Sequence, residues 1–102
     1  MTQPKLYYPY PSNKSDKKFM VYTKNGLIHF GAKGYHHYTQ DHLDEKRRIL
    51  YVKRHKTYEN WQDINSAGFW SYRFLWKYKT YSEAMRHIKT FIYSLLSKIH
   101  YF

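Results

Sequence analysis

The chain has 102 residues and no cysteine, sets 18 Lys and Arg against 7 Asp and Glu for a formal charge of +11, and is 22% aromatic with 13 tyrosines. That length builds one domain around a single modest core, and the lack of cysteine excludes a disulfide framework and a cysteine-ligated zinc site and fits folding inside a cell. The charge favours polyanions or acidic protein surfaces as partners, while tyrosine, apolar but carrying a hydroxyl, suits interfaces.

Residues 1–17 run through Lys5-Leu6-Tyr7-Tyr8-Pro9-Tyr10-Pro11 towards Lys17, and with Pro4, Pro9 and Pro11 they form neither a regular helix nor a central strand. The segment reads as an extended basic, aromatic arm whose Lys5, Leu6, Tyr7, Tyr8 and Tyr10 lie on a neighbouring protein. The same prolines and lysines leave no apolar stretch for a secretory signal. A single small α+β domain is then expected over residues 18–102.

Phe19-Met20-Val21-Tyr22-Thr23 alternates, meets Asn25-Gly26 and continues as Leu27-Ile28-His29-Phe30-Gly31, a strong hairpin signal. A two-residue type I′ loop at Asn25-Gly26 would set Thr23 opposite Ile28 and Val21 opposite Phe30, with Phe19 on the same apolar face. Gly31 to Gln40 is a loop rich in Gly, Tyr and His. Asp41 is placed as the N-cap of a helix over 42–55, with Asp44 and Glu45 early and Lys53, Arg54 and His55 late, the order that the helix dipole favours. Leu43, Arg47, Leu50 and Tyr51 share one face of it. A polar connection follows whose Trp61 plugs the core edge.

Ser66 caps a core helix over 67–76, with Ala67, Trp70 and Phe74 at helical spacing and Phe69 and Trp76 beside that stripe. Thr80-Tyr81-Ser82-Glu83 is a capping box opening the last helix, over 81–98. From Ala84, the residues Ile88, Phe91, Ile92, Leu95 and Ile99 fall at i+4, i+7, i+8, i+11 and i+15, an amphipathic stripe. Arg86, His87, Lys89, Lys98 and His100 make Ala84–Phe102 too charged to span a membrane. The fold expected is an N-terminal β-hairpin on about three helices, with Phe19, Val21, Phe30, Leu50, Trp70, Phe74, Ile88, Ile92 and Leu95 as its core.

For chemistry, His36, His37 and His42 lie close in sequence and His55 could approach them, yet no His pair stands at a metal-binding helical spacing with a supporting carboxylate. The acids serve as caps or stand beside Lys and Arg, so neither catalytic residues nor a metal or cofactor are expected, and the chain reads as non-enzymatic. Arg47, Arg48, Lys53, Arg54 and Lys56 form a basic helical surface with aromatics nearby, able to bind a phosphate backbone or to stack bases. No helix-turn-helix or RNA-binding sheet signature accompanies them, so nucleic-acid binding would be mostly electrostatic.

Ile28-His29-Phe30-Gly31, Tyr38-Thr39, Asp44, Arg47-Arg48, Tyr51, Arg54-His55, Trp61, Ala67-Gly68-Phe69-Trp70-Ser71 and Leu75-Trp76 together resemble a small family of uncharacterised proteins encoded by giant viruses, the nucleocytoplasmic large DNA viruses. The likeness covers about residues 18 to 90; the family's serine is usually followed by Arg-Trp and a Pro precedes its last helix, where this chain has Tyr72-Arg73 and Lys77 to Lys79. The resemblance implies a viral setting, with synthesis in the cytoplasm of an infected cell and a place in the virion. Within that setting the expected function is a virion structural protein, a minor capsid or cement subunit that bridges other viral structural proteins through the arm. The alternative is a basic nucleic-acid-binding protein associated with the viral genome.

Overall fold

The computed structural model describes residues 4–100, without the side chains of His42 and of residues 98–100. Its architecture is α+β, a three-stranded antiparallel sheet followed by helices. Strand β1 (Tyr10–Pro11) pairs with β2 (Lys17–Thr23), which pairs with β3 (Gly26–Ala32).

The alternation in Phe19 to Thr23 does form the hairpin, but its register differs from that expected. Phe19 faces Phe30 and Val21 faces Ile28, with the turn at Lys24-Asn25 and Gly26 beyond it at φ 114°. A type I′ loop needs positive φ at both central residues, and here neither Lys24 nor Asn25 has one. The Thr23 side chain selects the turn: its hydroxyl donates to the Gly26 carbonyl (2.8 Å) and accepts from the Asn25 N–H (3.1 Å). Because side chains alternate with a period of two, re-pairing by two residues leaves the apolar face intact.

The described part of the arm lies on its own domain. Tyr10 pairs with Met20 and Pro11 with Phe19, so β1 covers the outer edge of β2, where a missing proline N–H is tolerated. The Tyr7 N–H donates to the Tyr22 carbonyl (2.9 Å). The Tyr7 hydroxyl donates to Asn65 Oδ1 (2.7 Å) and accepts from the Lys24 N–H (3.2 Å). These bonds hold Tyr7 at φ 58°, a left-handed conformation that a bulky residue adopts only when its surroundings impose it.

After an irregular turn at Tyr38–His42, helix α1 spans Glu45–His55. Asp44, not Asp41, is its cap, accepting from the Lys46 and Arg47 N–H groups. Asp41 is used in the loop, where its Oδ2 accepts from the His37 N–H (2.9 Å). Helix α2 (Ala67–Trp70) starts at Ser66, whose hydroxyl accepts from the Phe69 N–H, and widens into a π-helical turn over Ser71–Trp76. Helix α3 (Tyr81–His100) starts at Thr80, whose hydroxyl accepts from the Glu83 N–H.

The core centres on Phe69, Trp70, Phe74, Leu75 and Trp76, with Val21 and Phe30 from the sheet, Ile64 from the connection and Ala84 and Ile88 from α3. Phe19, Ile92 and Leu95 pack against it half-buried, and the side chain of Ile99 is among those not described. Leu50 is not in the core: it is 59% exposed, because α1 stands off the sheet and buries none of its residues fully. Gly31 is where the sheet meets the core helix. It sits at φ 79°, where a side chain is strained, and a Cβ there would lie 2.8 Å from Leu75 Cδ1 and force that side chain to shift. Among the described residues no helix is long and apolar enough to cross a membrane.

Trp70 is fully buried and donates its indole N–H to the Ile64 carbonyl (2.8 Å). Trp70→Ala should therefore cost about 3 to 5 kcal/mol in denaturant unfolding; a loss within experimental error would place the ring outside the core. Tyr7→Phe removes both hydroxyl bonds and should cost about 1 kcal/mol, with no change expected if the arm does not pack on the domain.

Candidate functional site

Between α1 on one side and β3 with the start of α2 on the other lies an open cleft of about 560 Å³, within the size range of ligand pockets. Each wall follows from local structure. Arg47, Tyr51 and Arg54 stand at i, i+4 and i+7 of α1 and so share one face, which the cap at Asp44 sets in rotation. Lys17 opens β2, and His29 reaches the cleft from β3. Small residues, Gly31, Ala32, Ala67, Gly68 and Ser71, line it beside the buried Phe30, His37 and Trp76.

The aromatic wall is a continuous stack. Tyr51 lies on Trp76 with ring centroids 4.6 Å apart and planes 8° from parallel, and His55 lies 4.2 Å beyond Tyr51 at 23°. Arg47 places its guanidinium 5.6 Å from the Trp76 ring, a cation–π contact. The Tyr51 hydroxyl donates to Ser71 Oγ (3.0 Å), and burial pushes its pKa up to about 12, so it stays a neutral donor.

The charge balance is one-sided. Lys17, Arg47 and Arg54 are the full cations of the lining, and Glu59 is the only acid in it. That carboxylate is already engaged: Oε1 accepts from the Trp61 indole N–H (2.9 Å) and Oε2 lies 3.0 Å from His55 Nδ1. It also lies against the start of α2, where a Cβ on Gly68 would come within 3.0 Å of it. Glu59 thus orients Trp61 and His55 and offers little to a ligand. The cations remain to attract an anion. Among the described residues no group of three or more His, Asp or Glu could hold a metal ion, and the side chain of His42 lies outside them.

The basic residues singled out from sequence divide into sets. Arg47 and Arg54 line the cleft. Arg48 faces away, bonded to Glu45 and lying 5.7 Å from the Tyr38 ring. Lys53 and Lys56 are exposed outside the lining. Of the arm residues, Tyr7 and Tyr10 are tied into the domain, Tyr10 also accepting from the Lys5 N–H (3.0 Å). Leu6 and Tyr8 remain exposed, at 60% and 42%. Lys17, Tyr35, Tyr51, Glu59 and Trp76 were not identifiable as one site from sequence. The local signal in the sequence is the basic surface of α1, of which Arg47 and Arg54 line the cleft; Leu50, expected in the core, lines it as well.

Residues 10–55 are similar to a family described as a family of unknown function (DUF5754). That stretch holds the whole sheet and α1, hence the Lys17, Arg47, Tyr51 and Arg54 side of the cleft, and ends before α2. No curated protein and no solved structure matches the chain.

At the back of the cleft His37 is buried, edge-on to Trp76 (5.7 Å, 73°), with Lys18 Nζ donating to its Nδ1 (2.8 Å). Burial first, and Lys18 next, lower its pKa from 6.5 to about 4. The unfolded chain therefore binds a proton between pH 6.5 and 4 that the folded chain refuses. Stability is complete above pH 6.5, falls as the pH drops to about 4, and loses nothing further to this group below that. Denaturation midpoints from pH 7 to 4 should show this decline, and His37→Gln should flatten it; equal slopes in both proteins would remove His37 as the cause.

Proposed function

We propose that this protein is a non-enzymatic nucleic-acid-binding protein, associated with the viral genome in the setting that the sequence resemblance implies. The observation that carries this reading is the convergence of Arg47, Arg54 and Lys17, from two elements far apart in sequence, on an aromatic-walled cleft whose one carboxylate is already engaged. Cations gathered beside rings suit a phosphate backbone and its bases. Lys53 and Lys56 extend the same charge along the exposed end of α1, and the overall charge of +11 adds a long-range field.

A second reading, a virion structural subunit of minor capsid or cement type that bridges other viral proteins, is favoured by a different observation. Ile49 and Leu50 on α1 are exposed at 43% and 59%, next to Leu43 at 45%. Apolar side chains left bare on a loosely held helix suit a protein partner.

Binding of the full chain to a random DNA duplex of about 20 base pairs separates the two. Contact with about six phosphates should lower affinity by about a thousandfold between 50 and 200 mM salt while leaving a measurable complex at 200 mM. Lys53→Ala combined with Lys56→Ala should reduce the salt slope by about two. Binding no tighter than micromolar at 50 mM salt that vanishes at 200 mM, for the duplex and for its separated strand alike, would overturn the nucleic-acid reading and favour the structural one.

A further inference from the structure

We infer that the cleft receives an unpaired nucleotide, so that the protein takes single-stranded nucleic acid in preference to duplex. The inference rests on the nucleic-acid reading above and goes further, in naming the form of nucleic acid and where it sits.

The space, the walls and the charge all fit one nucleotide unit. A cavity of about 560 Å³ accommodates a base with its sugar and phosphate, and not a base pair flanked by its neighbours in a helix. Gly31, Ala32, Ala67, Gly68 and Ser71 of the lining carry no bulky side chain and leave room for a flat ring between α1 and β3. Tyr35 stands in the lining while 67% exposed, a large ring at the lip that the core does not use. A base entering past it gains an aromatic face, and every base has such a face to offer, which makes the contact independent of sequence. Arg54 and Lys17 also belong to the lining, and Arg47 is fixed over Trp76, so the phosphate that follows the base meets cations from both walls.

A duplex cannot use this arrangement. Its bases are stacked on both faces and paired along their edges, and extruding one costs unstacking and unpairing that a single strand does not pay. Duplex binding is therefore left to the surface cations outside the cleft, Lys53 and Lys56 of α1 among them, whereas a single strand gains the cleft as well.

The test compares an oligothymidylate of about 12 nucleotides with a duplex of equal length, using the full chain and fluorescence anisotropy at 100 mM salt. The single strand should bind at least about tenfold more tightly. Tyr35→Ala and Arg54→Ala should each weaken single-strand binding by about 5- to 100-fold and change duplex binding by less than about twofold. Lys53→Ala, outside the cleft, should weaken both alike. Both cleft side chains are exposed, so melting curves matching the parent protein keep the comparison fair. Thymidine monophosphate should displace the oligonucleotide more effectively than its charge alone allows, measured against inorganic tripolyphosphate. Equal affinity for both forms, or displacement that follows charge only, would overturn the cleft assignment and leave the nucleic-acid reading standing. Failure of either form to bind at 50 mM salt would overturn both.

Discussion

The structure depends on a short helix that is buried on all sides. Successive side chains of a helix point in different directions around its axis, so the four consecutive buried residues Arg73, Phe74, Leu75 and Trp76 face most of the way around it. Each meets a different part of the molecule. Phe74 packs edge-on to Phe19 (5.3 Å) and Phe30 (6.2 Å) from the sheet and lies flat on Tyr81 (4.9 Å). Leu75 closes on Gly31 of β3, and Trp76 meets Tyr51 of α1. Arg73 faces α3, its guanidinium 4.9 Å from the Phe69 ring and 4.7 Å from that of Phe91. A chain of this size has too little interior for several layers, and wrapping everything around one aromatic segment is how it obtains a core.

That arrangement explains a buried cation. The Arg73 Nε–H donates to the Trp61 carbonyl (2.9 Å), and two ring faces cover the guanidinium, so its charge is stabilised by quadrupoles and a backbone dipole. Burial lowers its pKa, but an arginine starts so high that it remains charged. It also fixes the connection carrying Trp61, which stacks on Tyr72 at 3.8 Å. The same connection presents Glu59 to His55 and Trp61, so the core helix and the rim of the cleft are coupled through one backbone carbonyl. Helix α1 depends on this coupling most. It buries no residue fully, and Tyr51, clamped between Trp76 and His55 and bonded to Ser71, is its main hold on the body of the protein. The helix with the densest positive charge is thus also the one least committed to the core.

Features governed by neighbours in sequence are legible from the sequence alone. The caps at Ser66 and Thr80 and the Ala84 to Leu95 stripe follow from side-chain–backbone bonds and periodicity within one helix. Where two local solutions competed, the sequence pattern pointed to the wrong one. Asn25-Gly26 outranks Lys24-Asn25 as a hairpin turn in isolation, but the Thr23 hydroxyl can satisfy two backbone groups only in the register observed. Asp41 and Asp44 are both good caps, and Asp41 was drawn away by the His37 N–H. Leu50 reads as core because helical periodicity gives a face without saying what the face meets. The cleft itself joins residue 17 to residue 76, and no local pattern encodes that juxtaposition.

The motifs that carry the sequence resemblance find a physical account in this geometry. In His29-Phe30-Gly31, the His29 Nδ1 bonds with the Ser12 hydroxyl (2.7 Å), Phe30 enters the core, and Gly31 lets Leu75 approach. In Ala67-Gly68-Phe69-Trp70-Ser71, Gly68 gives room to the Glu59 carboxylate, Phe69 and Trp70 fill the core, and Ser71 holds Tyr51. Gly31, Gly68 and Ser71 also line the cleft, together with His29 and Phe30, so both motifs help to build the wall that faces Arg47 and Arg54 of α1, residues that carry the same resemblance. A larger side chain in either motif therefore acts on packing and on the cleft at once: at Gly31 it meets Leu75, and at Gly68 it meets Glu59.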